Sequence, residues 1–266
     1  MDDSSVARRH PWVVGILLLA PLAFVARLAL GWPAVTTVAL EIRFQPPSPQ
    51  HWFGTDELGR DAFARTAAGL GYSAALVALA LAGALTLGVA VGAAAGLLDR
   101  RWLTSLSDAL VNIVWSLPGL VFFMAATTYF GRGFWVIVVA MATVSWVPIA
   151  RVVRLELARE KRAAYVTSLR ALGHYEHQVF RAILANARAP VLVATLSVAI
   201  DLVAAESGLS FLGLGIQPPD PSLGSMIYSG MYYAASGWWM ATFPLITLVV
   251  AVLLLRRAAG RVGAPA

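Results

Sequence analysis

The sequence predicts an all-α membrane protein with about six membrane-spanning helices. Of its 266 residues, 59% are hydrophobic and only 13% are charged, whereas a soluble domain carries about 25% charged residues. The apolar residues form long blocks, each close to the roughly 17–25 residues that cross a ~30 Å hydrocarbon core. Helices are expected there because lipid cannot satisfy exposed backbone groups. The blocks are Trp12–Leu30, Ala74–Leu98, Leu110–Phe130, Phe134–Ala150, Val191–Leu214 and Met240–Leu255.

The first apolar block follows Arg8 and Arg9, as the apolar part of a signal peptide would. No small-residue cleavage site follows it cleanly, so we interpret the block as a retained first helix. The next stretch is rich in proline, which removes backbone donors and predicts an irregular extracytoplasmic segment. The predicted organisation is a cytoplasmic N-terminus (1–11), a first transmembrane helix (12–30), an extracytoplasmic segment (31–70), a five-helix transmembrane core (71–257) with a cytoplasmic loop (151–190), and a cytoplasmic tail (258–266).

Glycine and proline mark the second, third and fourth blocks. Gly88, Gly92 and Gly96 form overlapping small-xxx-small repeats, which predict a face for close helix packing, either within the chain or toward a partner. Pro118 predicts a kink in the third block. We expect the fourth helix to end near Pro148, where the cytoplasmic loop begins.

The basic residues fix the predicted orientation. Fifteen of the twenty lysines and arginines fall at one set of alternate loops and termini, and such a bias marks the cytoplasmic side. Both termini are therefore expected in the cytoplasm. Because topology accounts for the net charge of +6, no nucleic-acid partner is expected. The opposite set carries only Arg27, Arg43, Arg60, Arg65 and Arg132.

The polar cytoplasmic stretch Arg151–Pro190 contains two amphipathic helical pieces separated by Gly173. Glycine is the residue best able to turn the end of a helix. After it, Val179, Phe180 and Ile183 recur at helical spacing. Such a segment is either a docking surface for a cytoplasmic partner or a loop lying on anionic lipid, and physical reasoning alone leaves both open.

One motif in this stretch resembles a known family. The run Tyr165-Val166-x-x-x-Arg170-Ala171-Leu172-Gly173, followed by Arg181-x-Ile183-Leu184-x-Asn186, resembles the "EAA" coupling segment of binding-protein-dependent ABC permeases. The resemblance implies a type I ABC importer permease fold, with a coupling helix that sits in a groove of the ATPase. The residues it assigns to ATPase coupling are Tyr165, Val166, Arg170, Ala171, Leu172, Gly173, His174, Arg181, Ile183 and Leu184.

This segment departs from the family pattern at two places. Thr167, Ser168 and Leu169 stand where the family usually has Glu-Ala-Ala, and Ala185 stands where a proline normally ends the segment. The first change removes a carboxylate and the second removes a helix stop. Neither removes the turn at Gly173.

Two further runs resemble signatures of the dipeptide, oligopeptide and nickel permease subfamily, and point to its C-type subunit. The first is GTDELGRD, residues 54–61, and the second is ESGLSFLGLGIQPP, residues 206–219. The resemblance assigns signature status to Gly54, Thr55, Asp56, Gly59, Arg60, Asp61, Ser210, Phe211, Leu212 and Gly213.

Two carboxylates fall within or at the edge of the fifth apolar block. Asp201 and Glu206 are candidates for the translocation pathway, since a carboxylate near the bilayer centre costs about 2.5–3.5 kcal/mol and normally faces a cavity or a partner. Glu206 has a structural role as its alternative. Five residues apart on a helix, the two side chains point about 140° away from each other, so a shared metal or proton site is not expected.

The resemblance implies a permease subunit in the inner or plasma membrane that forms half of a pathway for peptides. A nickel, metal-chelate or other small-solute permease is the alternative, and a membrane enzyme or an assembly protein is a weaker one. No catalytic constellation, metal site or phosphate-binding loop is found in the sequence, so ATP is expected to be used by partner subunits and no cofactor is expected on this chain. The implied partners are a homologous permease subunit, two ATPase subunits, an extracytoplasmic solute-binding protein and membrane lipid.

Overall fold

The computed structural model describes residues 33–97 and 101–263. Within these ranges the chain is helical, and the only β pairing is a single bridge between Thr55 and Asp61. The predicted first helix, Trp12–Leu30, lies outside the described residues. The helices are α1 (Pro33–Thr36), α2 (Ala62–Leu97), α3 (Arg101–Ser116), α4 (Gly119–Phe130), α5 (Phe134–Lys161), α6 (Ala164–Ala171), α7 (Glu176–Phe211), α8 (Leu223–Tyr232), α9 (Ala234–Gly237) and α10 (Trp239–Gly263), with a 3-10 turn at Leu40–Ile42.

Four of the described helices, α2, α5, α7 and α10, are long and apolar enough to cross a membrane. The predicted third span, Leu110–Phe130, is not one helix. It is broken between Ser116 and Gly119 into α3 and α4, which bend by 78°. Pro118 has no backbone N–H to continue the helical ladder, and its ring disfavours helical geometry in the preceding residue. Counting the bent pair as one span gives five in the described part of the chain.

Three helices extend well past the apolar blocks that predicted them. α2 begins at Ala62 rather than Ala74, and α7 begins at Glu176 rather than Val191. The expectation that the fourth helix ends near Pro148 is wrong, because α5 continues to Lys161. The residues after Pro148 are strong helix formers such as Arg, Leu and Glu, so the helix tolerates one missing hydrogen bond.

The chain divides into two compact units. Among the described residues, unit 1 comprises residues 33–79, 123–138 and 203–254, and unit 2 comprises residues 80–97, 101–122, 139–202 and 255–263. Fully buried aliphatic side chains form the interior of each unit. They include Leu76, Leu209 and Leu223 in unit 1, and Met141, Val147, Ile149 and Leu202 in unit 2.

Within unit 2, the small-residue face of α2 packs against α5. A Cβ atom added at Gly88 would lie 2.8 Å from the Cβ of Ile149, and one added at Gly92 would lie 2.5 Å from the carbonyl oxygen of Ala150. Gly96 makes a similar approach one turn later. The predicted packing face is therefore confirmed. The sequence left open whether this face packs within the chain or against a partner subunit, and in the structure it packs against a helix of the same chain.

Basic residues of α5 also contact two other helices of the same unit. Arg154 forms an ion pair with Asp108 of α3, and the guanidinium of Arg151 lies 4.6 Å from the ring centroid of Trp115. Lys161, the single lysine of the chain, donates a 2.9 Å hydrogen bond to the carbonyl of Leu97 at the end of α2. These cations thus satisfy groups inside the chain, including a carbonyl that a helix end leaves open.

Candidate functional site

The turn between α6 and α7 is a tight helical hairpin, here called the Gly173 hairpin (residues 164–186). The N–H of Gly173 donates to the carbonyl of Arg170 at 3.0 Å, and the N–H of His174 donates to the carbonyl of Leu169 at 3.1 Å. This pair of bonds is a Schellman motif, which requires a left-handed residue after the helix end. Gly173 supplies it with φ +80°. The predicted turn at Gly173 is therefore present.

One face of the Gly173 hairpin is anchored and its tip is exposed. Val166 of α6 and Val179 and Ile183 of α7 are each at most 3% exposed. At the tip, Leu172 is 77% exposed and Tyr175 is 72% exposed. An apolar tip held out from an anchored base is free to contact either another protein or a lipid surface.

Polar groups surround this tip. Arg170 and Glu176 form a bidentate ion pair, in which Nε and Nη2 of the guanidinium donate to the two carboxylate oxygens at 2.9 and 3.1 Å, and both side chains are exposed. The ring of Tyr175 stacks on that of His177 with centroids 5.7 Å apart. His174 Nδ1 lies 3.0 Å from the Gln178 side-chain oxygen. The remaining assigned residues Ala171, Arg181 and Leu184 are also exposed.

Glu160, at the end of α5, joins three helices of the hairpin region. Its Oε2 accepts a 2.7 Å hydrogen bond from the hydroxyl of Tyr165 in α6 and a 3.3 Å bond from the amide of Asn186 in α7. Partial burial, and then this hydrogen bond, raise the pKa of the Tyr165 phenol above its ordinary value. Sequence reasoning missed Glu160, because a carboxylate in a charged run such as Arg159–Arg162 gives no sign of its partner.

The first signature run folds into a compact turn in which the Asp56 carboxylate is the central acceptor. The Asp56 carboxylate is buried and accepts hydrogen bonds from the backbone N–H groups of Leu58 and Arg60, both at 2.9 Å. The Arg60 Nε atom lies 2.6 Å from the same carboxylate, and the Arg65 Nε atom lies 3.4 Å from it. Two guanidinium groups and two amides thus hold one buried charge, which indicates a structural role.

The rest of that run positions the start of α2. Asp61 caps the helix by accepting from the N–H of Ala64 at 2.8 Å, and its other oxygen lies 2.8 Å from Nδ1 of His51. The carbonyl of Thr55 accepts a 3.0 Å bond from the indole of Trp239. A Cβ atom at Gly59 would lie only 1.8 Å from the carbonyl of Ala39, and Gly54 is similarly enclosed.

The second signature run surrounds Glu206, which is 0% exposed. Its carboxylate accepts hydrogen bonds from the hydroxyls of Ser73 at 2.7 Å and Ser210 at 2.8 Å. A Cβ atom at Gly224 would lie 2.1 Å from the carbonyl of Ser207, so α8 lies directly against this part of α7. This enclosure favours the structural alternative for Glu206.

The end of α7 carries the remaining signature residues. Phe211 is half-buried and meets the ring of Tyr228 edge-on at 5.6 Å. Leu212 is 52% exposed, and Gly213 takes a left-handed conformation at the helix end.

Asp201 stands apart from this network. Its side chain is exposed on α7, in agreement with the predicted divergence from Glu206. No hydrogen bond or ion pair joins it to another described residue, although Arg256 exerts a Coulombic attraction on it. Over residues 33–97 and 101–263, no group of three His, Cys, Asp or Glu side chains is placed to hold a metal ion.

Residues 88–262 match the family described as the binding-protein-dependent transport system inner membrane component. The chain is 33% identical to a peptide permease protein of Brucella suis biovar 1 over 258 residues, which cover 91% of this chain and 82% of the relative. It is 36% identical over 201 residues to the dipeptide transport system permease protein DppC of Bacillus subtilis, covering 75% and 62% of the two chains. The oligopeptide transport system permease protein OppC of the same organism is 31% identical over 230 residues, covering 86% and 75%.

A solved structure shares the fold. The inward-facing MetNI methionine ABC transporter superposes with a TM-score of 0.60 at 21% identity, covering 76% of this chain and 94% of that one. Of the functional classes considered from the sequence, these matches support transport and the type I permease fold. The chain belongs to the binding-protein-dependent transport system inner membrane components, and it is a multi-pass membrane permease subunit of the ABC importer class.

Proposed function

We propose that this chain is a permease subunit of a peptide importer and that the Gly173 hairpin couples it to cytoplasmic ATPase subunits. The observation that carries the proposal is the exposed apolar tip at Leu172 and Tyr175 on an anchored base. The peptide substrate is proposed because the relatives above carry peptide, dipeptide and oligopeptide permease names. ATP is bound and hydrolysed by the partner subunits, and this chain performs no chemistry itself.

Helix continuity supplies a physical route from the hairpin to the membrane. α7 runs 36 residues without a break from Glu176 to Phe211, a length of about 54 Å. Glu160 ties α6 to α5 and α7 together. A displacement of the tip by a closing ATPase therefore moves two membrane-spanning helices, which is the kind of motion that alternating access needs.

The proposed orientation places both termini and the Gly173 hairpin in the cytoplasm, because the basic residues concentrate on that side. Residues 31–70 and 217–239 then face the outside, where a solute-binding protein docks. Exposed aromatic side chains on these segments include Trp52, Tyr232 and Trp238. A homologous permease subunit completes the pathway. Asp201 lines this pathway, and Glu206 stabilises the helices beside it through its buried hydrogen bonds.

A matched pair of glycine variants tests the coupling role. Gly173→Val and Gly131→Val both place a β-branched residue at a positive φ, and neither Cβ would meet another atom within 4 Å. Backbone strain is therefore similar at the two sites. We expect Gly173→Val to reduce co-purification of the ATPase subunits and peptide uptake, and Gly131→Val to leave both near wild type. Equal behaviour of the two variants would contradict a coupling role for this hairpin.

A further inference from the structure

Asp201 is an exposed carboxylate within the apolar, membrane-spanning helix α7. It lies ten residues, or about 15 Å along the helix axis, from Val191, where the apolar block of this helix begins. The side chain has no hydrogen bond or ion pair with any residue in the part of the chain that the structure describes, and Arg256 acts on it only through a longer-range Coulombic attraction. An ionised group in such a helix normally faces a water-filled route or a partner rather than lipid.

The surroundings of Asp201 on α7 differ from a lipid-facing surface. Ala194 and Ser197 lie on the same helical face within unit 2, and both are small. The hydroxyl of Ser197 donates to the carbonyl of Val193 at 3.0 Å and adds no charge. By contrast, the exposed side chains of α10 are large and apolar, namely Leu245, Ile246, Val249, Val250, Leu253 and Leu254.

We propose that Asp201 gives the translocation pathway a preference for solutes that carry a positive charge, in particular peptides with lysine or arginine side chains. This deepens the proposed function and rests on it. The carboxylate attracts a cationic side chain as the peptide passes along this face of α7. A neutral peptide of similar size gains no such attraction, and an acidic peptide is repelled. The positively charged side chain of the transported peptide is thus the group that lies against this face of α7.

The test compares uptake of three tripeptides by the complete transporter with its ATPases and binding protein. The peptides differ only at the central position, which is lysine, norleucine or glutamate. Asp201→Asn keeps the side-chain volume and removes the charge. The ratio of lysine-peptide to norleucine-peptide uptake is expected to fall about fivefold, the effect of one partly exposed ion pair. Because the same binding protein serves both variants, its own selectivity cancels from this comparison.

Two further variants complete the design. Asp201→Glu keeps the charge and is expected to keep the preference for the lysine peptide. Ser197→Ala changes the same face without changing charge, and is expected to leave the uptake ratio unaltered.

Three outcomes would overturn the inference. They are an equal loss of uptake for all three peptides in Asp201→Asn, an unchanged ratio, and loss of the assembled complex, which would place a neighbouring subunit against Asp201. Failure of the proposed function gives a different result, since the wild-type transporter would then take up none of the three peptides in a manner dependent on ATP and the binding protein.

Discussion

Removal of the Glu160 carboxylate is expected to loosen α6 without dismantling the fold. In the structure, Glu160 accepts a 2.7 Å hydrogen bond from Tyr165 and a longer, exposed 3.3 Å bond from Asn186. A hydrogen bond to a charged group contributes about 1.5–3 kcal/mol. Counting only the shorter bond, and taking the lower half of that range because the site is partly exposed, gives about 1.5–2 kcal/mol. The population of α6 released from its anchored position should then rise about ten- to thirtyfold in Glu160→Ala.

Amide hydrogen exchange in the purified transporter measures this release. Exchange in α6 should accelerate about tenfold or more in Glu160→Ala, while the long helices α2 and α10 keep their protection. ATP hydrolysed per peptide transported should rise, because a loosened hairpin transmits less of the ATPase motion. Tyr165→Phe removes the donor of the shorter bond and should reproduce most of the effect.

Two control variants sharpen this experiment. Glu156→Ala removes a carboxylate that pairs with the exposed Arg159 at 3.4 Å, and a surface pair of this kind contributes about 0–1 kcal/mol. Glu160→Gln keeps an acceptor oxygen and should restore part of the protection. Unchanged exchange in α6 of Glu160→Ala would refute the anchoring role, as would accelerated exchange spread evenly over all helices.

Three further substitutions, two of them paired with a control variant, test the helix packing, the buried Asp56 and the turn. Gly92→Ala should destabilise the chain by about 1–3 kcal/mol, since its Cβ would lie 2.5 Å from a backbone oxygen and overpacked sites cost that much. Gly71→Ala in the same helix meets nothing within 4 Å and should be neutral or stabilising; equal thermal midpoints for the two variants would argue against the α2–α5 contact. Asp56→Ala should destabilise the folded chain by about 3–5 kcal/mol because two guanidinium groups lose their buried partner, whereas Glu57→Ala should cost at most about 1 kcal/mol. A similar detergent-solubilised yield of the two variants would contradict the structural role of Asp56. Gly173→Asn should keep most ATPase co-purification, because asparagine tolerates a left-handed backbone, and a loss as large as that of a valine variant would show that strain is not the cause.

Hydrophobic periodicity and charge predicted the spans well where one helix is continuous and apolar. The hydrophobic pattern could not place the helix ends, because hydropathy indicates which residues are apolar enough to lie in lipid and does not indicate where the helical hydrogen bonds end. α5 continues past Pro148 into a charged stretch whose residues still favour a helix. The Leu110–Phe130 block contains no charged residue, yet the chain bends by 78° at the break that contains Pro118. One proline therefore accompanies a break in the helix, whereas the other, in the next block, lies inside a continuous helix.

The site was predicted where backbone conformation alone determines it, and missed where a side chain reaches across helices. Gly173 takes the left-handed turn that its position in the motif implied. Glu160 was not identified, since its partners Tyr165 and Asn186 lie 5 and 26 residues away along the chain. Glu206 was identified as a pathway candidate with a structural role as its alternative, but its serine partner on α2 is 133 residues distant and only the fold brings the two together.

Site-directed cross-linking tests the coupling role of the Gly173 hairpin most directly. The chain contains no cysteine, so a single Leu172→Cys substitution places one thiol on a side chain that is 77% exposed. Tyr129→Cys, at a side chain that is 84% exposed on α4, is the control. With a thiol-attached photoreactive probe, Leu172→Cys should cross-link to the ATPase subunit, with a yield that changes on nucleotide binding, and Tyr129→Cys should not. Absence of an ATPase cross-link from Leu172→Cys in an assembled, active transporter would contradict the account.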